Sequence, residues 1–323
     1  MKNGVLLLDK PTGISSAKAL YPVKRRFPRR KIGHTGTLDP FASGLLVVLV
    51  GHATRLSRFF LSMDKRYTAT IVFGAETDTL DPEGEIIAHA PVPTPDRVTA
   101  VVPRFQGEIE QIPPRYSALK MGGTRAYLAA RAGEEFSLPS RQVQIYDIAI
   151  TAEAAGSDET STVPKRPSNP DRYILDVHCG SGTYIRSLAR DIGRAAGSVA
   201  SLDTLRRTRV GSFSVDDAVP ADLLDGESLL PSGAFLTLTD AVREIPDIAI
   251  VAVADSDVPV LRNGGTPGTD VEKQADRVVA DGGPPYLLCV DGADAPVALF
   301  DRSGGSLTYA AVFPADEGGG NGE

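Results

Sequence analysis

The chain has 323 residues, of which 42% are hydrophobic and 23% charged, and its formal net charge is −7. This length is sufficient for one large domain and a smaller one. No apolar run approaches the ~20 residues that cross a bilayer, and no secretory apolar segment follows Met1, so we expect a cytoplasmic protein without a membrane partner. The two cysteines lie far apart and the four histidines show no ligand spacing, so we expect neither a disulfide framework nor a metal site.

Positive charge is concentrated at the start of the chain and negative charge at its end. Residues 1–66 contain 13 Lys and Arg against 3 Asp and Glu, whereas residues 214–323 contain 5 against 20. Because contacts with phosphate groups supply much of the affinity for RNA, the first region is expected to bind RNA. The basic run at 24–31 has a solvated helix face as its ordinary interpretation. Its position directly before the loop around Asp39 favours contact with a substrate.

Apolar periodicity predicts the secondary structure of the first part of the chain. The expected elements are, in chain order, a buried strand at 5–9, a helix from Ser15 or Ser16 to about residue 27, a buried strand at 45–50, a short helix at 54–61 and a strand at 66–73. Side chains alternate between the two faces of a strand, so Tyr67 is expected to share a face with Ala69 and Ile71.

The middle of the chain predicts more helices and strands around a polar insertion. The expected elements are helices at 96–105 and 125–132, strands at 142–152 and 173–178, and a strong helix at 184–196 that ends at Gly197. Residues 155–170 are polar and low in apolar content. We interpret them as a mobile insertion, since strands resume on both sides.

The last part of the chain predicts a small β-rich domain. Short strands are expected between Gly and Asp turns at 248–254, 286–290, 296–300 and 307–313, and the tail at 316–323 is expected to be disordered. We therefore expect domains at 1–238 and 239–315. Strands and helices alternate without a regular βαβ period, which favours the α+β fold class with a mixed, mostly antiparallel sheet.

The loop at 33–40, with the sequence GHTGTLDP, presents a carboxylate on irregular backbone. Gly33 and Gly36 permit a sharp turn and a close approach to a ligand. Pro40 disfavours helical geometry at Asp39. Catalytic groups are often found on loops that a rigid scaffold positions, although an ordinary Asp-Pro turn is the alternative.

Several other motifs occur around this loop in a characteristic order. They are GVLLLDKPTGISS at 4–16, GLLVVLVGHATR at 44–55, DKRY at 64–67, GAETDTLDPEG at 74–84, QIPPRYSALK at 111–120 and GTYIRSL at 182–188. Together they resemble the bacterial tRNA pseudouridine-55 synthase family (TruB) over about two-thirds of the chain. The resemblance implies the pseudouridine synthase fold, followed by a small PUA-like C-terminal domain.

The resemblance also implies three catalytic residues. Asp39 is the expected nucleophile, Arg186 the guanidinium that keeps it ionised, and Tyr67 the ring that stacks on a flipped uracil and assists proton removal from C5. A carboxylate nucleophile divides one difficult step into easier ones, and a guanidinium within ~4–6 Å favours the ionised acid. A surface helix arginine and a half-buried strand tyrosine are the ordinary alternatives. We interpret Asp78 and Asp81 as turn formers.

A further set of residues is expected to contact the substrate RNA, namely Lys10, Lys31, His34, Thr35, Arg66 and Leu205. By the resemblance, His34 fills the space that the flipped nucleotide leaves, and a loop histidine bonded to the backbone is the alternative. Lys10 either supports the catalytic loop or contacts a phosphate group. Leu205 is expected to pack beneath the site.

The activity that follows is isomerisation of the T-loop uridine, position 55 of tRNA, after the uridine leaves its stack. An isomerisation transfers no electron or group to a second molecule, so no cofactor is expected. The T-arm of tRNA is the expected partner, and we expect a monomer without an obligatory protein partner. Two alternatives stay open, a guide-RNA-dependent rRNA pseudouridylase and a tRNA-binding chaperone.

Overall fold

The computed structural model describes residues 3–117, 119–121, 124–125, 136, 138–152, 171–224, 230, 233–280 and 282–315. Its strands are β1 (Gly4–Lys10), β2 (Ile32–His34), β3 (Ser43–Val50), β4 (Lys65–Phe73), β5 (Ala75–Thr77), β6 (Ile86–His89), β7 (Gly107–Gln111), β8 (Lys120–Met121), β9 (Thr124–Arg125), β10 (Arg141–Ala152), β11 (Arg172–Cys179), β12 (Ala200–Val210), β13 (Phe213–Ser214), β14 (Val219–Pro220), β15 (Phe235–Leu236), β16 (Ile248–Ala252), β17 (Tyr286–Val290), β18 (Pro296–Asp301) and β19 (Thr308–Val312).

The α-helices are α1 (Ser16–Arg26), α2 (Ser57–Ser62), α3 (Pro95–Val101), α4 (Ile185–Ala195), α5 (Leu238–Arg243), α6 (Val258–Arg262) and α7 (Thr269–Ala280). Shorter 3-10 helices occupy Gly51–Leu56, Val102–Phe105, Val215–Asp217 and Ala221–Leu224. Across the described ranges, no helix is both long and apolar enough to cross a bilayer.

Within the described residues, an 11-stranded sheet forms the centre of the molecule. Its order is β14-β1-β3-β12-β4-β11-β10-β7, and β2, β13 and β15 pair with members of this path. Two pairings in it are parallel, β1 with β14 and β3 with β12. The mixed, mostly antiparallel sheet confirms the predicted α+β class. Its central strand β12 is an element that the sequence analysis missed.

Helix α4 packs against β12 through a regularly spaced apolar face. The residues of this face are at most 4% exposed and recur with helical spacing, at Ile185, Leu188, Ala189 and Ile192. Gly193 lets the helix lie close to the sheet, since a Cβ at this position would be 2.8 Å from the Cβ of Ala200. This packing fixes the first turn of α4, which carries Arg186.

The Asp39 loop connects β2 to β3, which pair antiparallel with His34 opposite Val48. Leu38 and Phe41 on either side of Asp39 are buried in the core. Ser16, at the start of α1, accepts a hydrogen bond from the Leu38 N–H at 2.8 Å and donates one to the Leu38 carbonyl at 3.0 Å. The loop is therefore fixed on both sides of the carboxylate.

The C-terminal strands form a second sheet with the order β16-β17-β18-β19. The four predicted strands are confirmed within a few residues. The prediction of turns between the first two is wrong, because this region contains helices α6 and α7. The pairing of β16 with β17 is parallel, and a parallel pair requires a crossover connection. The apolar residues of this crossover, Leu261, Val271 and Ala275, are buried against the sheet.

One hydrophobic cluster joins the first strands to the C-terminal sheet. It contains Val5 and Leu7 of β1 together with Leu238, Ile248 and Leu288. The predicted boundary between 1–238 and 239–315 stays a prediction, as does the likeness of the second part to PUA domains.

Other sequence predictions have mixed outcomes. The predicted helix at 96–105 is α3 followed by a 3-10 helix, and the one at 54–61 is a 3-10 helix followed by α2. The predicted helix at 125–132 is wrong at Arg125, which lies in β9, and its remainder is outside the described residues. The insertion at 155–170 and the tail at 316–323 also lie outside them.

Candidate active site

A cavity of about 290 Å³ lies between the Asp39 loop, β4, β12 and the start of α4. It brings together Asp39, Tyr67, Arg186 and Leu205, which are separated by up to 166 positions in the chain but were all predicted as site residues. The other lining residues are Gly36, Thr37, Leu38, Leu61, Lys65, Ser117, Arg141, Gly180, Gly182, Thr183, Tyr184, Ile185 and Arg207. The cavity thus combines one carboxylate, two aromatic rings and several cations.

Arg186 forms an ion pair with Asp39, with 2.9 Å between Nε and Oδ2. The arginine side chain is 4% exposed, whereas that of Asp39 is 34% exposed and borders the cavity. Two backbone carbonyls fix the guanidinium, because Nη1 donates to Thr79 and Nη2 donates to Tyr116, both at 2.8 Å. Arg186 is therefore a buried site residue, and the alternative of a surface arginine is wrong.

Asp81 is a second carboxylate on the same guanidinium, and the sequence analysis missed its importance. Its Oδ2 lies 3.1 Å from Nη1 of Arg186, and its side chain is 5% exposed. The Thr79 hydroxyl donates to Oδ1 at 2.6 Å and the Glu83 N–H at 3.1 Å. Asp81 does form a turn, as predicted, but the turn also delivers its charge to Arg186. Asp78 accepts a hydrogen bond from the Glu85 N–H at 3.0 Å and thereby stabilises the turn.

The surroundings of Asp39 act on its pKa in opposite directions. Burial raises the pKa of this carboxyl group, Arg186 lowers it, the nearby charge of Asp81 raises it, and Lys10 lowers it. The net direction is upward from the ordinary value of an aspartate. Asp39 is thus a more basic carboxylate than a surface aspartate, and Arg186 is the group that most favours its ionised form.

Tyr67 and Arg207 are directly paired across β4 and β12. Arg207 is 1% exposed and donates from Nε to the Leu45 carbonyl at 2.8 Å and from Nη2 to the Gly36 carbonyl at 3.0 Å. Burial raises the pKa of the Tyr67 hydroxyl, and Arg207 opposes that rise. Arg207 was not predicted as a site residue. Leu205 was, and side chains two positions apart on a strand lie on the same face, so Arg207 shares the face of Leu205.

The family model described as "TruB family pseudouridylate synthase (N terminal domain)" matches residues 24–185, and the model "tRNA pseudouridylate synthase B C-terminal domain" matches residues 186–230. A protein of Caulobacter vibrioides named tRNA pseudouridine synthase B is 37% identical over 96% of this chain and 96% of its own length. The chain belongs to the TruB family. A Bordetella avium protein of the same name is 48% identical over 74% of this chain and 93% of its own length.

Solved structures support the same fold for this TruB family member. A chain of a Cbf5-Nop10-Gar1 complex is 25% identical with a TM-score of 0.62, covering 93% of this chain and 78% of that one. A chain of an H/ACA RNP bound to a substrate RNA containing 2′-deoxyuridine has a TM-score of 0.61 at 23% identity, covering 97% and 86%. The second similarity shows the fold alone.

Two residues that were predicted to contact RNA, Lys10 and Thr35, are fully buried. Nζ of Lys10 donates to the carbonyls of Pro11 and Ile14, both at 2.8 Å, and burial lowers its pKa to about 8. Thr35 donates from its backbone N–H to the Val47 carbonyl at 3.0 Å. The geometry favours the loop-supporting alternative for Lys10 and a similar structural role for Thr35, since neither side chain reaches the surface.

The other predicted RNA contacts lie at or near the surface but outside the cavity lining. Lys31 and Arg66 are exposed, and His34 is half-buried. Burial and the charge of Arg207 lower the pKa of His34, which favours a neutral ring. Its Nδ1 is buried without a hydrogen-bond partner in the described structure. The alternative in which His34 is bonded to the backbone is therefore not supported at Nδ1. RNA contact by Lys31, His34 and Arg66 stays a prediction.

Proposed function

We propose that the protein converts the T-loop uridine at position 55 of tRNA to pseudouridine, with Asp39 as the nucleophile. The observation that carries the proposal is the cavity in which Asp39, paired with Arg186, borders the same space as Tyr67. Membership of the TruB family and the tRNA pseudouridine synthase names of the relatives support this choice of substrate.

The uridine must leave its stack before any side chain can reach its glycosidic bond. The cavity, at about 290 Å³, is a size that suits a single flipped base, and the Tyr67 ring and the Leu205 side chain offer apolar surface to it. Lys31 and Arg66 are exposed cations that can contact phosphate groups of the RNA. His34 fills the space that the nucleotide leaves.

The chemistry proposed for this cavity begins with an ionised Asp39. The ion pair with Arg186 favours that state and orients the carboxylate, whose 34% exposed side chain faces the bound base. The C1′–N1 bond breaks, the uracil turns, and C5 bonds to C1′. C5 then loses its proton and N1 gains one, so the atoms balance without a cofactor. Tyr67 assists the proton removal from C5.

Asp81 extends this arrangement by holding the far side of the guanidinium. With Asp81 at 3.1 Å from Nη1 and two carbonyls on the same group, Arg186 has little freedom to rotate away from Asp39. Such preorganisation places charge before the reaction starts, which is the main way in which enzymes stabilise transition states.

A guide-RNA-dependent pseudouridylase is the second candidate. The similarity to a chain from a Cbf5-Nop10-Gar1 complex favours it. The higher identity to proteins named tRNA pseudouridine synthase B, 48% and 37% against 25%, favours the stand-alone tRNA enzyme. We propose that the protein acts as a monomer without an obligatory protein partner.

Tritium release from C5-labelled uridine in an unmodified tRNA transcript tests the proposal directly. The protein alone should release tritium from the T-loop uridine, whereas Asp39→Asn should release none and still bind the tRNA. Asp270→Asn, in an exposed ion pair of α7, is the matched control and should behave as wild type. Tritium release only after addition of guide RNA and protein partners would favour the second candidate. Binding without release under either condition would favour a chaperone.

A further inference from the structure

Arg207 is a buried cation that the chemistry proposed above does not use. Its hydrogen bonds go to the backbone carbonyls of Leu45 and Gly36. In the part of the chain that the structure describes, it forms no ion pair with a carboxylate. Removing a guanidinium from water is costly unless an opposite charge is nearby. This unneutralised charge therefore requires an explanation.

The position of Arg207 links two parts of the candidate active site. Its bond to Gly36 fixes the beginning of the turn that leads to Asp39. Its backbone is tightly packed as well, because a Cβ on Gly44 would be 2.3 Å from the Arg207 carbonyl oxygen. Across the sheet it is paired with Tyr67, and directly paired residues on neighbouring strands present their side chains to the same face. Arg207 thus fixes the loop and the tyrosine relative to each other.

The charged and titratable groups around Tyr67 leave Arg207 as its main positive neighbour. Burial has the largest effect on the pKa of the Tyr67 hydroxyl and raises it. Cys179 of β11 and Asp39 of the loop also raise it, whereas Arg207 lowers it. Lys65 lies two residues earlier on β4 and lines the same cavity. Burial and, to a smaller extent, the charge of Arg207 lower the pKa of Lys65 to about 8.

We propose that Arg207 is a positioning residue that holds Tyr67 against the Asp39 loop and stabilises negative charge on the Tyr67 oxygen. The inference rests on the proposed function. In the step concerned, an ionised Tyr67 oxygen accepts the proton from C5. The C5–H bond breaks and its electron pair remains in the ring, while N1 takes up a proton. The Arg207 side chain is within hydrogen-bonding reach of the Tyr67 hydroxyl and so lies beside the oxygen that carries the charge before this transfer.

Single-turnover tritium release with Arg207→Met and Arg207→Lys tests the inference. Because general acid–base catalysis contributes about 10²–10⁴-fold, we expect at least about a tenfold slower release with the Met variant and a partial recovery with Lys. The affinity for tRNA should stay unchanged, since Arg207 is buried. The rate of the Met variant should also reach its maximum at a higher pH than that of wild type. Arg172→Gln is the matched control, because Arg172 pairs with Asp203 outside the cavity lining.

A more acidic tyrosine separates this role from simple structural support. Fluorotyrosine placed at position 67 should restore part of the rate of Arg207→Met and move its pH profile back toward lower pH. Lys65 would titrate in the same way with either tyrosine, so it cannot produce this response. If Arg207→Met does not fold, the same comparison is made with Arg207→Lys.

Wild-type release from Arg207→Met would overturn the inference, as would a slow variant that fluorotyrosine leaves unchanged. Absence of release from the wild-type protein would instead contradict the proposed function. The two hypotheses therefore fail in distinguishable ways.

Discussion

Arg186 and Arg207 both border the cavity, and of these two only Arg186 is neutralised by carboxylates. Arg186 contacts Asp39 at 2.9 Å and Asp81 at 3.1 Å, whereas Arg207 donates to backbone carbonyls. Two carboxylates around one guanidinium leave a negative balance on the Asp39 side. The unpaired guanidinium leaves a positive balance on the Tyr67 side. The comparison shows that burial alone does not define the role of an arginine, because the groups around it determine the field that a substrate meets.

Replacing Arg186 by Gln should have the largest effect on activity and stability among the changes that test this comparison. It removes the guanidinium and leaves Asp39 and the buried Asp81 without their common partner. We expect tritium release to fall by about 10²–10³-fold, as when a preorganised charge-stabilising group is lost. Stability should fall by about 3–5 kcal/mol, because a buried carboxylate loses its counter-charge. Rapid-quench kinetics and thermal unfolding measure the two effects, and near-wild-type turnover in a folded variant would contradict the assignment.

The change Asp81→Asn should have a smaller effect, because Asp39 keeps its contact with Arg186. We expect kcat to fall by about tenfold while KM stays constant, since the lost interaction orients a catalytic group rather than substrate. Asp78→Asn is the control, because Asp78 lies in the same turn and accepts a hydrogen bond from the Glu85 N–H without contacting Arg186. Equal losses in both variants would show that the turn itself, and not the charge of Asp81, supports activity.

The pH dependence of turnover should reflect the raised pKa of Asp39. Burial and Asp81 raise this pKa. The nucleophilic role proposed for Asp39 requires an ionised carboxylate, so the rate should fall as the pH decreases through the raised value. Removing the Asp81 charge lowers the pKa of Asp39, so the acidic limb of kcat/KM should move to lower pH in Asp81→Asn. If the acidic limb moves to higher pH instead, the main effect of Asp81 on Asp39 is to hold Arg186 in place rather than to add a negative charge.

The smallest effect is expected at Arg206, the neighbour of Arg207 on β12. Its side chain is 42% exposed and pairs with Asp9 at 2.8 Å. Partly exposed ion pairs contribute about 0–1 kcal/mol, so Arg206→Gln should change the free energy of unfolding by less than that amount. Urea denaturation gives this value. A loss of several kcal/mol would contradict the distinction drawn here between the partly exposed pair of Arg206 and the buried arginines of the cavity.

Sequence patterns predicted the parts of the fold that consist of continuous or regularly spaced apolar residues. Strands β3, β4, β10 and β11 and helix α4 follow such patterns. Strand β12 does not, because its sequence ASLDTLRRTRV contains three arginines and an aspartate. Asp203, Arg206 and Arg207 have their partners far away in the sequence. Helices α6 and α7 were missed because glycine and aspartate turns dominate the sequence around them. Only the parallel pairing of β16 with β17 reveals the crossover.

The candidate site was predicted unevenly for a related reason. Asp39, Tyr67 and Arg186 lie in recognisable motifs, and the structure places all three at one cavity. Asp81 also lies in a motif, but its contact with Arg186 joins residues 105 positions apart. A short turn rich in aspartate gives no sign of that contact. Lys10 and Thr35 show the opposite error. Both are polar residues near the Asp39 loop that were expected at the surface, but they are buried and bonded to backbone carbonyls.

The contact between Ser16 and Leu38 constrains which sequences this scaffold can tolerate. One hydroxyl group both accepts from the Leu38 N–H and donates to the Leu38 carbonyl, and the serine is 1% exposed. Alanine would leave two buried backbone groups without partners, and this buried position leaves little room for a side chain much larger than serine. A library that samples every amino acid at position 16, selected for activity, should therefore return serine, with threonine as its nearest substitute. The tolerance of the Asp39 loop to variation is thus set partly by a residue of helix α1, outside the loop.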